Sequence, residues 1–127
     1  MNNQFSQRVS DVLTYSKEEA NRLGNSIIGP EHLLLGILRD GGGKAVEVLT
    51  KLDANLNLIK KRLEEQLRDA EDDNMLTEGE MSFSPTASRI LKMSMLEARL
   101  LKSELTDTEH LLLAILKDEN NMAAIVL

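Results

Sequence analysis

Two carboxylate–imidazole pairs, Glu31-His32 and Glu109-His110, contain both histidines of this 127-residue chain and stand 78 positions apart. Adjacent Glu and His could in principle ligate a metal. A zinc site of the His-Glu-x-x-His kind needs two histidines one helical turn apart, and nothing nearby completes a ligand set. The pairs instead open the apolar runs Leu33-Leu34-Leu35 and Leu111-Leu112-Leu113. A carboxylate in the first turn of such a helix is favoured by the helix dipole by about 0.3–1 kcal/mol, and the imidazole beside it is expected to pack or cap. Ser6 and Ser84 share the same 78-residue offset and read as helix N-caps. No convincing Ser-His-Asp order accompanies them. Gly41-Gly42-Gly43-Lys44 suggests a phosphate loop, but Leu38 and Ala45 stand where the Walker pattern needs Gly and Ser or Thr. A helix rather than a strand precedes it, so it reads as a helix stop.

The elements that must position these residues are duplicated. From Phe5/Phe83 to Leu49/Leu127 the chain aligns with itself without a gap, with about 19 identities in 45 positions. A repeat of this kind determines the whole architecture, here two copies of a small helical unit. In the first copy Val9, Val12, Leu13, Ser16, Ala20 and Leu23 recur at helical spacing. Ser6 caps that helix and Gly24 ends it. Pro30 then opens a helix to about Arg39, apolar on most sides and so the buried centre of its repeat. A third helix, about Lys44 to Lys51, is expected to turn Ala45, Val48, Leu49 and Leu52 inward. Asp53 or Asn55 caps a fourth, with Leu56, Ile59, Leu63 and Leu67 as its stripe.

Residues 70–82 break the periodicity, are acidic, and read as a mobile linker between repeat one (5–69) and repeat two (83–127). In the second copy Ser84-Pro85 makes a strong helix start. Ala87, Ile90, Leu91, Ser94, Ala98 and Leu101 repeat the first stripe, and Asp107 or Thr108 caps the next helix. The sequence stops in the equivalent of the third helix, so repeat two reads as truncated and the chain as a fragment of something longer.

Fifteen basic against 21 acidic side chains leave a net charge of −6 and a pI near 4.9. Duplex nucleic acid and anionic membranes reward clustered Lys and Arg, so neither is the expected partner. Partners with cationic patches fit better. Hydrophobic residues make up 42% and aromatics 2%, which gives an aliphatic core. The absence of cysteine excludes disulfides and thiolate chemistry. With no signal-like or membrane-spanning apolar segment, a soluble intracellular protein is expected.

Gly29-Pro30-Glu31-His32-Leu33-Leu34-Leu35-Gly36-Ile37-Leu38-Arg39-Asp40, followed by three glycines and preceded by Glu18-Glu19-Ala20-Asn21-Arg22-Leu23-Gly24, resembles the Clp repeat. The likeness includes the second Thr108-Glu109-His110-Leu111-Leu112-Leu113 copy and is strongest to the N-terminal domain of the ClpC branch of Hsp100 AAA+ unfoldases. It implies an all-α fold of two tandem four-helix repeats about a pseudo-twofold axis, the second truncated here, forming a single domain over 1–127. It also implies a docking module for protein substrates and MecA-like adaptors, monomeric alone and hexameric in the full-length ring that feeds ClpP. ATP would be a cofactor only of AAA+ modules outside this chain, and the location would be the bacterial cytoplasm. A stand-alone Clp-repeat adaptor is the alternative, and a helical enzyme fits least.

In the family this domain also reads phosphorylated arginine. Its sites use the Glu of the Glu-His-Leu motif and the hydroxyl residue that opens each repeat. Carried over by position, these are Glu31 with Ser6, and Glu109 with Ser84. Ser keeps the hydroxyl where Thr is common. Pro30 replaces a Thr that the second copy retains as Thr108, so the two sites need not be equivalent. The chemistry suits such a ligand: a Ser at a helix N-terminus offers a hydroxyl and backbone N–H groups to the phosphoryl anion, and the carboxylate accepts the guanidinium N–H donors.

Overall fold

The computed structural model describes residues 4–69 and 82–118. The first repeat runs β1 (Gln4–Phe5), α1 (Gln7–Arg22), β2 (Ile27–Ile28), α2 (Pro30–Asp40), α3 (Gly43–Lys51) and α4 (Leu56–Asp69). The second runs β3 (Ser82–Phe83), α5 (Pro85–Leu100), β4 (Leu105–Thr106) and α6 (Thr108–Lys117). The all-helical expectation holds, with short extended pairs added at the helix entrances. Residues 70–81 of the expected linker and the third-helix equivalent beyond Asp118 lie outside the described residues. Ser82, expected as the linker's last residue, belongs to β3.

Local chemistry sets the helix boundaries. Ser6 and Ser84 adopt nearly the same extended backbone, and their hydroxyls accept from Val9 N at 3.1 Å and Ala87 N at 3.0 Å. Each fills one of the orphan donors of its first turn. Gly24, just past α1, has φ +77, and its counterpart Lys102 takes φ 60 despite its side chain. Gly41 closes α2 with φ 72. Asn55 rather than Asp53 supplies the α4 cap, accepting from Leu58 N at 3.0 Å. Asp53 instead takes a positive φ just after α3.

Strand order reveals the symmetry. β1 pairs in parallel with β4, and β2 in parallel with β3. Adding 78 to β1 gives β3, and adding 78 to β2 gives β4, so each pair maps onto the other when the repeats are exchanged. That is the signature of a pseudo-twofold relation. α1 packs on α2 and α5 on α6, while α2 meets both α5 and α6 at the centre. Leu33, Leu34, Leu35 and Ile37 join Leu111, Leu112, Ala114 and Ile115 in one buried core. The expected centres Leu34 and Leu112 are buried, and Leu35 is more enclosed than Leu113.

The inward stripes of α1 and α4 are as read from the sequence. In α3, Ala45 and Leu49 are buried, but Val48 is 43% and Leu52 72% exposed, and Val46 takes the inward place. The reason is that α3 packs across the repeat boundary onto α6, where Ala45 N donates to Thr108 Oγ1 at 3.2 Å. Leu101, expected to complete the α5 stripe, is also exposed.

Candidate functional site

Parallel pairing sends two chain segments off side by side in one direction, so each bridge sets two helix N-termini together. β1 with β4 joins the starts of α1 and α6. β2 with β3 joins the starts of α5 and α2. At the α1/α6 junction Ser6 N donates to Thr106 O at 2.9 Å, and Ser6 Oγ donates to Asp107 Oδ1 at 3.0 Å. At the α5/α2 junction Ser84 N donates to Ile28 O at 2.9 Å. A Cβ built on Gly29 would lie 2.9 Å from Glu31 Oε1 and 4.0 Å from Ser84 Oγ.

The candidate residues therefore pair across the repeats. The expectation of Ser6 with Glu31 and Ser84 with Glu109 is overturned by topology. Within a repeat the first two helices run antiparallel: Arg8 Nη1 meets Asp40 Oδ2 at 2.6 Å, and Arg89 Nη2 meets Asp118 Oδ2 at 2.8 Å. Ser6 thus lies near the far end of α2, roughly 13 Å of helix from Glu31 at 1.5 Å per residue. Ser84 stands beside Glu31, and Ser6 stands beside the first turn of α6, which holds Glu109.

The histidines fix the turns that carry these carboxylates. His32 Nδ1 accepts from Gly29 N and His110 Nδ1 accepts from Asp107 N, each at 2.9 Å. With Nδ1 accepting, the His32 proton sits on Nε2, which lies 2.8 Å from Asn25 Oδ1. Asn25 Nδ2 in turn donates to Leu67 O of α4 at 3.4 Å. Burial pushes His32 down to about 4, opposed only by the charge of Glu19. This is a neutral capping imidazole, as the sequence suggested.

The glycine loop acquires a different task from phosphate binding. A Cβ on Gly42 would lie 2.6 Å from Arg8 Nη1, and one on Gly43 would lie 2.6 Å from Arg8 Cδ and 2.9 Å from Thr108 Oγ1. Gly42 and Gly43 therefore make room for the Arg8 side chain beside the α1/α6 junction. The hydrogen bond to Asp40, with a smaller contribution from the charge of Asp107, raises Arg8 above its ordinary value. Thr108, read as a polar group retained for ligand, instead takes Ala45 N and serves packing.

The electrostatics of the two junctions differ. At α1/α6, Asp107 Oδ1 accepts from both Ser6 Oγ and Thr108 N, the latter at 2.8 Å. Glu109 Oε1 is buried with no hydrogen-bond partner among the described residues. At α5/α2, Gly29 replaces Asp107, and neither the Ser84 hydroxyl proton nor the Glu31 carboxylate has a hydrogen-bond partner there among the described residues. Sequence reading missed Gly29 and Asp107 as candidate residues of these junctions. Their signal was a glycine exchanged for a carboxylate two residues before the repeated Glu-His-Leu-Leu-Leu run.

Among the described residues no helix is long and apolar enough to cross a membrane. Residues 4–127 match the family model described as the Clp repeat (R) N-terminal domain. The chain is 35% identical over 97% of its length to the "Negative regulator of genetic competence ClpC/MecB" of Bacillus subtilis, of which it spans 15%. It is 34% identical over the same share to the "Chaperone protein ClpB" of Oceanobacillus iheyensis, again spanning 15% of it. The Hsp104 N-terminal domain of Candida albicans superposes with a TM-score of 0.81, covering 98% of this chain and 79% of that one at 16% identity. At that identity the likeness speaks for the fold alone.

Proposed function

The chain belongs to the Clp repeat N-terminal domain family of Clp/Hsp100 ATPases, and from that premise we propose that it is the substrate- and adaptor-docking domain of a ClpC-type unfoldase. The reading places residues 1–127 as one N-terminal domain on a cytoplasmic bacterial hexamer that works with ClpP. ATP hydrolysis falls to modules elsewhere in the protein. Its ligands are arginine-derived groups on proteins, phosphoarginine foremost, or a MecA-like adaptor side chain of similar chemistry.

The observation that supports this is the crossed junction, which occurs twice. Each sets a Ser hydroxyl at one helix N-terminus beside a neighbouring first turn that carries a glutamate. Helix N-termini attract the anionic phosphoryl group. The carboxylate accepts guanidinium N–H donors and disfavours a phosphate presented without them.

Calorimetric titration with free phosphoarginine, against arginine and phosphoserine, tests the reading. Loss of a charge-assisted contact costs about 1.5–3 kcal/mol, so Glu31→Ala and Glu109→Ala are each expected to weaken their own pocket about tenfold or more. Folding should change little, because a first-turn carboxylate contributes under about 1 kcal/mol to its helix. A parent chain that binds no arginine-derived ligand refutes tag reading and leaves adaptor docking as the role.

A further inference from the structure

Resting on the reading above, we infer that the N-cap residue of each motif helix sets the ligand class of its junction. Gly29 leaves the α5/α2 pocket open to a phosphorylated guanidinium, and Asp107 makes the α1/α6 pocket a site for an unphosphorylated one.

The two pockets are built on the same plan, and the difference that bears on an anion is Gly29 against Asp107, because Thr106 and Thr108, the counterparts of Ile28 and Pro30, are fully buried and Thr108 is engaged by Ala45 N. At α1/α6 the Asp107 carboxylate sits where a phosphoryl group would approach the paired helix N-termini. It already takes the Ser6 hydroxyl proton at 3.0 Å and the Thr108 N–H at 2.8 Å. Ser6 itself is buried. Those donors would have to be stripped from an anion before a second anion could use them, against direct charge repulsion. The nearby cation, Arg8, is engaged by Asp40 at 2.6 Å and seated over Gly42 and Gly43, and its attraction to Asp107 is the smaller one, so it offsets Asp107 only in part for an incoming phosphate. What this junction still offers is acceptors. Glu109 Oε1 is buried without a partner among the described residues, a costly state that a bound N–H donor would relieve. A planar guanidinium, with its fork of N–H groups, matches a pair of carboxylates.

At α5/α2 the corresponding residue is Gly29, which brings no side chain of its own. The space where a Gly29 Cβ would stand is bordered by Glu31 Oε1 at 2.9 Å and Ser84 Oγ at 4.0 Å. Ser84 retains its hydroxyl proton for an acceptor, and Glu31 retains its acceptors for N–H donors. A ligand that carries both a phosphoryl oxygen and guanidinium N–H groups satisfies both at once. Asp introduced at 29 would push the flexible end of the Glu31 side chain aside and compete for the Ser84 proton, re-creating the other junction.

The experiment is an amide NMR titration of the whole chain with phosphoarginine, and separately with arginine. Gly29, Glu31 and Ala87 report one pocket, and Val9, Asp107 and Glu109 the other. Phosphoarginine is expected to shift the first set at least tenfold below the concentration that moves the second, with arginine preferring the second. Gly29→Asp should abolish the phosphoarginine response at α5/α2, and Asp107→Gly should create one at α1/α6. Asp107→Asn keeps an N-cap while removing the charge, so it guards against a folding defect and should also admit phosphoarginine. Phosphoarginine moving both sets alike in the parent would overturn the split while leaving tag reading intact. No response at either junction would refute tag reading itself, and this inference with it.

Discussion

Leu35 and Leu113 occupy the same position in the two repeats, yet Leu35 is 1% exposed and Leu113 only partly buried. The difference follows from α4. In repeat one α4 lies against α2, and Leu35, Leu38 and Glu19 face Leu56, Asn57 and Lys60 across a cleft of about 490 Å³. Arg22 ties α1 to α4, reaching Glu19 at 2.6 Å and Glu64 at 2.5 Å. Burial alone would raise Glu19, but Arg22, with Arg39 and Lys60, brings it below the usual carboxylate range. In repeat two the matching carboxylate is Glu97, which meets Lys117 at 2.6 Å, and Leu116, the match of Leu38, is 45% exposed. An apolar stripe therefore fixes which side of a helix faces inward, and a second element decides how deeply it is buried.

Truncating the two leucines sharpens that comparison most. Leu35→Ala is expected to cost about 2–5 kcal/mol in urea unfolding, the range for an enclosed core leucine, and Leu113→Ala less than about 2 kcal/mol. Equal losses would mean that α4 contributes no enclosure.

Most of the helical frame was legible because its signals are local. Ser6, Ser84, Gly24, Gly41 and Asn55 act through backbone groups within a few residues, and the stripes of α1 and α4 need only helical spacing. The crossing of the repeats was not legible. It depends on four extended segments of two residues each, too short for alternation to show, whose pairing is decided by the packing of the whole domain. That is why the sequence set the four candidate residues at helix starts but exchanged their partners. Val48 was misplaced for a related reason, since α3 turns toward a helix of the other repeat. The role of Asp107 was half visible: its capping followed from the sequence, its bond to Ser6 did not.

A second test probes the turn before α2 by pH. His32 carries about 4 in the folded chain against an ordinary value of 6.5. Between those values the unfolded chain binds a proton that the folded chain refuses. The stability held above pH 6.5 should therefore fall as the pH drops toward 4, by up to about 3 kcal/mol from this group. The check is urea unfolding of the parent and of His32→Gln across that range, where the variant should show a flatter slope. In an NMR titration the His32 ring should shift with a midpoint near 4. A midpoint near 6.5 would contradict its burial and its bond to Gly29 N.

The smallest effect distinguishes the two serines. Both cap a helix, so Ser6→Ala and Ser84→Ala should each lose about 0.5–2 kcal/mol from that role. Ser6 has a second bond, to Asp107, and its removal leaves a carboxylate oxygen with one donor where it had two. Ser6→Ala should therefore exceed Ser84→Ala by about 0.5–1.5 kcal/mol. A double-mutant cycle isolates the cause. Ser6→Ala and Asp107→Ala should couple, because each removes the same bond. Ser84→Ala and Glu31→Ala should add to within about 0.3–0.5 kcal/mol, because no hydrogen bond joins Ser84 to Glu31. Identical costs for the two serines, with no coupling in either cycle, would show that the junctions are energetically alike and that Asp107 does not hold the Ser6 hydroxyl in solution.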